Sequence, residues 1–227
     1  MHSHFKVKLK IFSLLFPVVF FLTLLLLPAC AKKIDYFSYV SELRQNIFLA
    51  ENEDFSLRVY SVAKESPYIA DGIPREISHR TEVYLIAPSG EKDCRLSFLF
   101  NEETYGGEMS YDNVKSEYYF SCTLDISKLT ALDCTISYGE TEITLNAKSV
   151  LNGDELSPKS ILQYVQKENM DLFTNLTDKY GFSGEIYIRL IYEENAYYYI
   201  GIIDRTGKIY AFLTNAKNGK ILAKRES

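Results

Sequence analysis

The stretch GEIYIRLIYEENAYYYIGIIDRTGKIYAFLTN, residues 184–215, reads as three consecutive strands. In residues 185–193, Ile186, Ile188, Leu190 and Tyr192 fall on one face and Glu185, Arg189 and Glu193 on the other, the pattern of a half-buried strand. Residues 196–204 are apolar on both faces, as the middle strand of a sheet is. Residues 208–214 supply the third strand. Asp204-Arg205-Thr206-Gly207 joins the second to the third as a hairpin, with Gly207 free to take positive φ. Lys217-Asn218-Gly219 turns the chain once more before Ile221-Leu222. A bare meander of this size is marginal in water, so its apolar face needs a cover.

The cover lies just upstream. Ser157 can accept from the free amides of a first helical turn, and Pro158 fits the first helical position. Ile161, Leu162, Val165, Leu172, Phe173 and Leu176 form an apolar stripe at helical spacing. Gly181 is expected as the left-handed stop. Asn169, a poor helix former, predicts a kink.

Helix followed by meander, ending in Gly201-Ile202-Ile203-Asp204-Arg205-Thr206-Gly207-Lys208-Ile209-Tyr210 and Asn215-Ala216-Lys217-Asn218-Gly219-Lys220-Ile221-Leu222, resembles a PepSY domain. That family closes on Asp-x-x-x-Gly-x-(Ile/Val)-Leu. Here Asn215 stands where Asp is usual, and Gly219, Ile221 and Leu222 match. The resemblance covers residues 154–227 and implies a secreted or envelope protein that binds or restrains partner proteins, peptidases among them. This PepSY-like α+β domain, a helix on a three-stranded antiparallel meander, is expected to fold by itself.

Residues 30–153 read as mainly β. Asp35 is expected to cap a short helix through Phe37, Val40 and Leu43. Alternating segments follow at Phe55-Leu57-Val59, Val83-Leu85-Ala87, Leu96-Phe98-Phe100, Tyr118-Phe120-Cys122-Leu124, Cys134-Ile136-Tyr138 and Ile143-Leu145-Ala147. Turn residues separate them at Pro88-Ser89-Gly90, Gly106-Gly107 and Gly139-Glu140. Several short strands at this spacing indicate an immunoglobulin-like β-sandwich, although no Trp is present. Residues 64–80, with Pro67, Gly72 and Pro74, read as an irregular connection.

The N-terminus carries an address. Lys6, Lys8 and Lys10 precede an apolar run over residues 11–27 and then small residues, the layout of a secretory signal. Leu27-Pro28-Ala29-Cys30 resembles a bacterial lipobox. The resemblance implies cleavage before Cys30, a diacylglyceryl group on its sulfur, and anchoring at the extracytoplasmic face of a cell membrane. An ordinary secretion cut after Ala31 is the alternative, since Ala29-Cys30-Ala31 also meets the small-x-small rule. Removing residues 1–29 takes away three of the 25 basic residues and none of the 30 acids, which leaves 22 against 30 and a formal charge of −8. That balance argues against nucleic acid as a partner.

No residue pattern declares a reaction. After processing, His79 is the only histidine, placed in the irregular connection. The chain has no His-Glu-x-x-His, no Gly-x-Ser-x-Gly and no phosphate-binding Gly-Lys-Ser/Thr loop. Glu51, Glu53 and Asp54, Glu102 and Glu103, and Glu193 and Glu194 read as solvated acids at turns. Cys94, Cys122 and Cys134 sit in apolar alternations as small hydrophobes, and a Cys122–Cys134 disulfide is open only if their strands pair. We therefore expect a non-catalytic protein- or wall-binding module with no cofactor and no metal; the alternatives are an envelope hydrolase with an unrecognised carboxylate site and a structural spacer without a specific ligand. The excess is in tyrosine: of Tyr197, Tyr198 and Tyr199, alternation sends Tyr198 to the face opposite the other two. The helix can cover one face only, and Tyr197 and Tyr199 are the expected partner surface for an envelope or secreted protein.

Overall fold

The computed structural model describes residues 34–66, 73–88 and 92–227. The signal stretch with Cys30 and Ala31, residues 67–72 of the connection, and Ser89-Gly90 of one expected turn lie outside the described residues. Asp35–Ser227 form one compact unit. Strand takes 57% of the described residues and helix 11%, so the protein is mainly β.

Asp35 caps a 3₁₀ turn over Tyr36–Tyr39, its carboxylate accepting from the Phe37 amide at 3.2 Å. The helix expected to continue through Val40 and Leu43 is not formed; the chain passes directly into β1 (Val40–Glu51). There follow β2 (Ser56–Glu65), β3 (Ile77–Ile86), β4 (Cys94–Phe100), β5 (Glu103–Glu108), β6 (Ser110–Asp112), β7 (Glu117–Cys122), β8 (Ala131–Tyr138) and β9 (Thr141–Ser149). The helices α1 (Pro158–Glu168) and α2 (Met170–Asn175) lead through the two-residue strands β10 (Thr177–Asp178) and β11 (Gly181–Phe182) to β12 (Gly184–Tyr192), β13 (Ala196–Asp204), β14 (Ile209–Asn215) and β15 (Ile221–Glu226). The C-terminal meander thus has four strands where three were expected.

β1 organises the rest. One edge pairs antiparallel with β2. The other edge is shared: its first residues run parallel to β12, with Leu43 opposite Ile188, and its last residues pair with β9, Phe48 opposite Ser149. Between these halves, a bulge at Arg44 to Asn46 bends the strand. Asn46 fills the irregularity: its Nδ2 donates to the Ser127 and Leu129 carbonyls at 3.3 Å each, and its Oδ1 accepts from Ser149 Oγ at 2.8 Å.

Past the bulge the strands close on themselves. β1, β2, β3 and β7 form one layer, and β9, β8 and β4 the other. β1 joins them at one side; at the other, β5 pairs with β4 while β6, one residue further on, pairs with β7. Leu57, Val59, Val83 and Leu85 meet Leu96, Phe98, Cys134, Ile136, Leu145 and Ala147 in one core. Gly106-Gly107, expected as a turn, lies inside β5, and the turn is Asn101-Glu102, both at positive φ, as in a two-residue hairpin. Gly106 has φ +150 and lies so close to β4 that a Cβ would strike the Leu96 carbonyl.

Cys94, Cys122 and Cys134 are free. β7 and β8 are not neighbours, so the condition for a Cys122–Cys134 bridge is not met. Burial pushes the Cys94 thiol up to about 11, and burial with the nearby Asp133 charge pushes Cys134 to about 12, which leaves both unreactive.

In the C-terminal part, Ser157 Oγ accepts from the Ser160 amide at 3.1 Å with Pro158 at the start of α1, which buries Ile161, Leu162 and Val165. Asn169, at φ −133 and ψ 42, breaks the helix rather than kinking it. Leu176 already caps α2, so Gly181 is not the stop but part of β11. Beneath the helices, Tyr198, Ile200 and Ile202 are 1%, 0% and 0% exposed.

Candidate binding face

The strands run as one path, β15-β14-β13-β12-β1-β2-β3-β7-β6. Register sets Phe212, Ile200, Ile188, Leu43 and Ala63 side by side on one face. Val59 and Leu57 lie further along β2 on that face and enter the two-layer core. The helices and the second layer therefore cover the same face of this path, and among the described residues no element covers the opposite face.

That open face carries aromatic and guanidinium groups in an unbroken band. On β13, Tyr197 and Tyr199 occupy it, half-buried, as alternation predicts, while Tyr198 is on the covered face. Tyr199 pairs with Arg189 on one side and Leu213 on the other. Gly201 explains how the rings lie: a Cβ there would come within 3.1 Å of the Tyr187 ring and 3.2 Å of the Tyr199 ring. Glycine lets both tyrosines lie down along the sheet instead of projecting from it.

Arg189 binds Glu42 of β1 through two hydrogen bonds, Nε to Oε1 at 2.6 Å and Nη2 to Oε2 at 2.9 Å. Burial raises the Glu42 pKa, but the hydrogen bonds of Arg189 and the charges of Arg189, Lys64 and Arg44 outweigh it, and the carboxyl ends below its usual range. On the far side of β1, the Arg44 guanidinium lies 4.2 Å above the Tyr60 ring. Tyr60, Tyr84 and Tyr119 then continue across β2, β3 and β7 with ring centres 5.4 and 5.1 Å apart. Arg58 ties this end down by donating to Glu117 at 2.7 Å.

Glu42 and Glu117 are ion-paired, Glu82 accepts from the Tyr84 hydroxyl at 3.3 Å, and burial with the Glu82 charge pushes the Tyr84 phenol well above its usual range. Large rigid rings with polar tips are the groups that carry contact surfaces. Sequence reasoning found Tyr197 and Tyr199 but missed Tyr60, Tyr84, Tyr119 and Tyr187. Their one signal was alternation with core residues, as in Leu57-Arg58-Val59-Tyr60 and Val83-Tyr84-Leu85.

His79 stands in β3, not in the irregular connection. Its Nδ1 is 3.5 Å from Asp125 Oδ2, with both side chains more than 40% exposed, a loose surface pair beside a 580 Å³ depression. Among the described residues no group of His, Cys, Asp and Glu could hold a metal ion, and no helix is long and apolar enough to cross a membrane. Comparison of the chain with family models, with curated proteins and with solved structures finds no match.

Proposed function

We propose that the chain is a lipid-anchored protein of the extracytoplasmic membrane face, a non-catalytic module that binds an envelope protein or wall partner. The observation that carries this reading is the open tyrosine and arginine band, with Tyr197 and Tyr199 at one end, on a sheet whose covering elements all sit on the other face. The lipobox-like Leu27-Pro28-Ala29-Cys30 supports the anchor, which needs no basic patch, because two acyl chains hold a protein stably. A helix over a meander supports the PepSY-like reading of residues 154–227. A two-layer antiparallel core supports the sandwich reading of residues 30–153, from which the strand closure through β1 and β5–β6 departs.

The test joins the two halves of the proposal. Mass spectrometry of the mature N-terminus is expected to find diacylglyceryl Cys30; an unmodified peptide beginning at Lys32 rejects the anchor. Crosslinking in intact envelopes is expected to trap a partner on the wild type and lose it in a Tyr197→Ala/Tyr199→Ala variant that remains folded with a cooperative melt. Equal trapping by both proteins rejects the face, and turnover of a glycosidic substrate by the purified chain would replace the binding reading with a hydrolytic one.

A further inference from the structure

At the far end of the open face, the β6–β7 hairpin folds beside β3 and borders an open depression of 270 Å³. Tyr84 and Tyr119 supply its aromatic wall, and Asp112, Lys115 and Glu117 its charged rim, while the Tyr111 ring packs on Tyr118 on the other side of the hairpin. Pairing builds it: Tyr84 stands opposite Tyr119, and Asp112 opposite Glu117. The Tyr84 and Tyr119 rings are 5.1 Å apart and inclined at 45°.

The polar atoms at the rim are held partly by the protein and are otherwise open to water, the Lys115 and Asp112 side chains being 63% and 39% exposed. Asp112 Oδ1 holds the hairpin turn, accepting from the Val114 and Lys115 amides at 2.9 and 3.2 Å. Glu117 Oε2 accepts from Arg58 at 2.7 Å. Their other oxygens face the Lys115 ammonium at 3.9 and 3.7 Å, too far for a hydrogen bond. One donor thus stands between two acceptors without bonding either. Two adjacent hydroxyls would fit between them, accepting from Lys115 and donating to Asp112 and Glu117.

Charge narrows the ligand. Within the rim Arg58 and Lys115 balance Asp112 and Glu117, so a cation meets two like charges; Glu82, which accepts from the Tyr84 hydroxyl at 3.3 Å, adds to the repulsion of an anion. A wholly apolar ligand would strip water from three charged groups and return no hydrogen bonds. A neutral ring with apolar C–H faces and adjacent hydroxyls satisfies both the wall and the rim. The volume lies just below the ~300–1,000 Å³ of sites for drug-sized ligands, which suits a single ring. We propose that this depression is a subsite for one neutral pyranose unit of a glycan, with Tyr84 and Tyr119 as its platform and Asp112, Lys115 and Glu117 as its hydroxyl clamp. It stands apart from Tyr197 and Tyr199 and does not depend on the lipid anchor.

Amide spectra of ¹⁵N-labelled protein (residues 30–227) titrated with methyl β-glucoside, glucuronate and glucosamine provide the test. Methyl β-glucoside is expected to shift the Tyr84, Asp112 and Tyr119 amides saturably, with a Kd of about millimolar order for so few atoms. Tyr119→Phe keeps the ring and is expected to bind within about threefold of wild type, whereas Tyr119→Ala weakens binding by about tenfold or more. Asp112→Asn keeps the turn-forming oxygen but loses an acceptor, and is also expected to weaken binding by about tenfold, which serves if Tyr119→Ala does not fold. Tyr197→Ala/Tyr199→Ala should leave the sugar affinity unchanged, so failure of the partner-binding reading is distinguishable from failure here. Absence of saturable shifts with methyl β-glucoside up to about 100 mM overturns the proposal, as does tighter binding of either charged sugar or full binding by Asp112→Asn.

Discussion

Asn46 shows how much one side chain can decide. It is 2% exposed, sits in the bulge of β1, and bonds two loop carbonyls and the Ser149 hydroxyl. Asn46→Ala leaves those groups buried without partners, at a cost of about 1–3 kcal/mol, and urea unfolding is expected to show that loss. Asn46→Asp keeps the acceptor but removes the Nδ2 donor, and should also destabilise. Glu42 makes the second residue-scale prediction. Its folded pKa is depressed below the ordinary 4.5, so its contribution is present above that value and disappears as pH falls through the lower, folded pKa. Glu42→Gln should therefore lower the melting temperature at neutral pH and flatten the acid limb of stability below about pH 4.5. Parallel melts from neutral to acid pH check it; equal slopes in the two proteins would remove Glu42 from the acid response.

At the scale of elements, the legible parts were those whose local pattern and tertiary role agree. The meander, its Gly207 and Gly219 turns, the Ser157-Pro158 start and the alternating segments of the first part all carry their own signals. β1 did not, for a physical reason. Val40 and Leu43 share a face at helical spacing because the register shifts between Val40 and Glu42, and the bulge at Arg44 to Asn46 shifts it again, so inward positions run 40, 43, 46, 48 instead of every second residue. Gly106-Gly107 misled for a similar cause: the glycines answer to close strand approach, and two ordinary residues, Asn101 and Glu102, make the turn. The tyrosine face was half legible, since alternation separates Tyr198 from Tyr197 and Tyr199 but cannot report which other strands extend that face. The separation predicts unequal costs. Tyr198→Ala should lose about 3–5 kcal/mol from beneath the helices. Tyr199→Ala removes a ring lying on Gly201 at the surface and should lose about 1 kcal/mol. Chemical denaturation of the pair decides this, and equal losses would mean that both faces of β13 act as core.

At the scale of the whole molecule, β1 is the strand whose pairing the two parts share, and this bears on whether residues 154–227 can stand alone. Within that segment, α1, α2 and the meander bury one another's apolar faces, which favours independence. Against it, β12 would lose its parallel partner from Val40 to Arg44, and Arg189 would lose both hydrogen bonds to Glu42. An uncovered strand edge with apolar neighbours such as Ile186, Ile188 and Leu190 is a template for pairing with another chain. We predict that a fragment of residues 154–227 keeps its helices and meander but associates through β12, with sedimentation and amide line widths that depend on concentration. A synthetic peptide of residues 35–51 added in trans should occupy that edge, sharpen the β12 resonances and suppress the association. Residues 35–227 should melt in a single transition. If the fragment is monomeric at all concentrations, melts cooperatively and ignores the peptide, then β1 is an accessory to the C-terminal sheet rather than the strand that completes it.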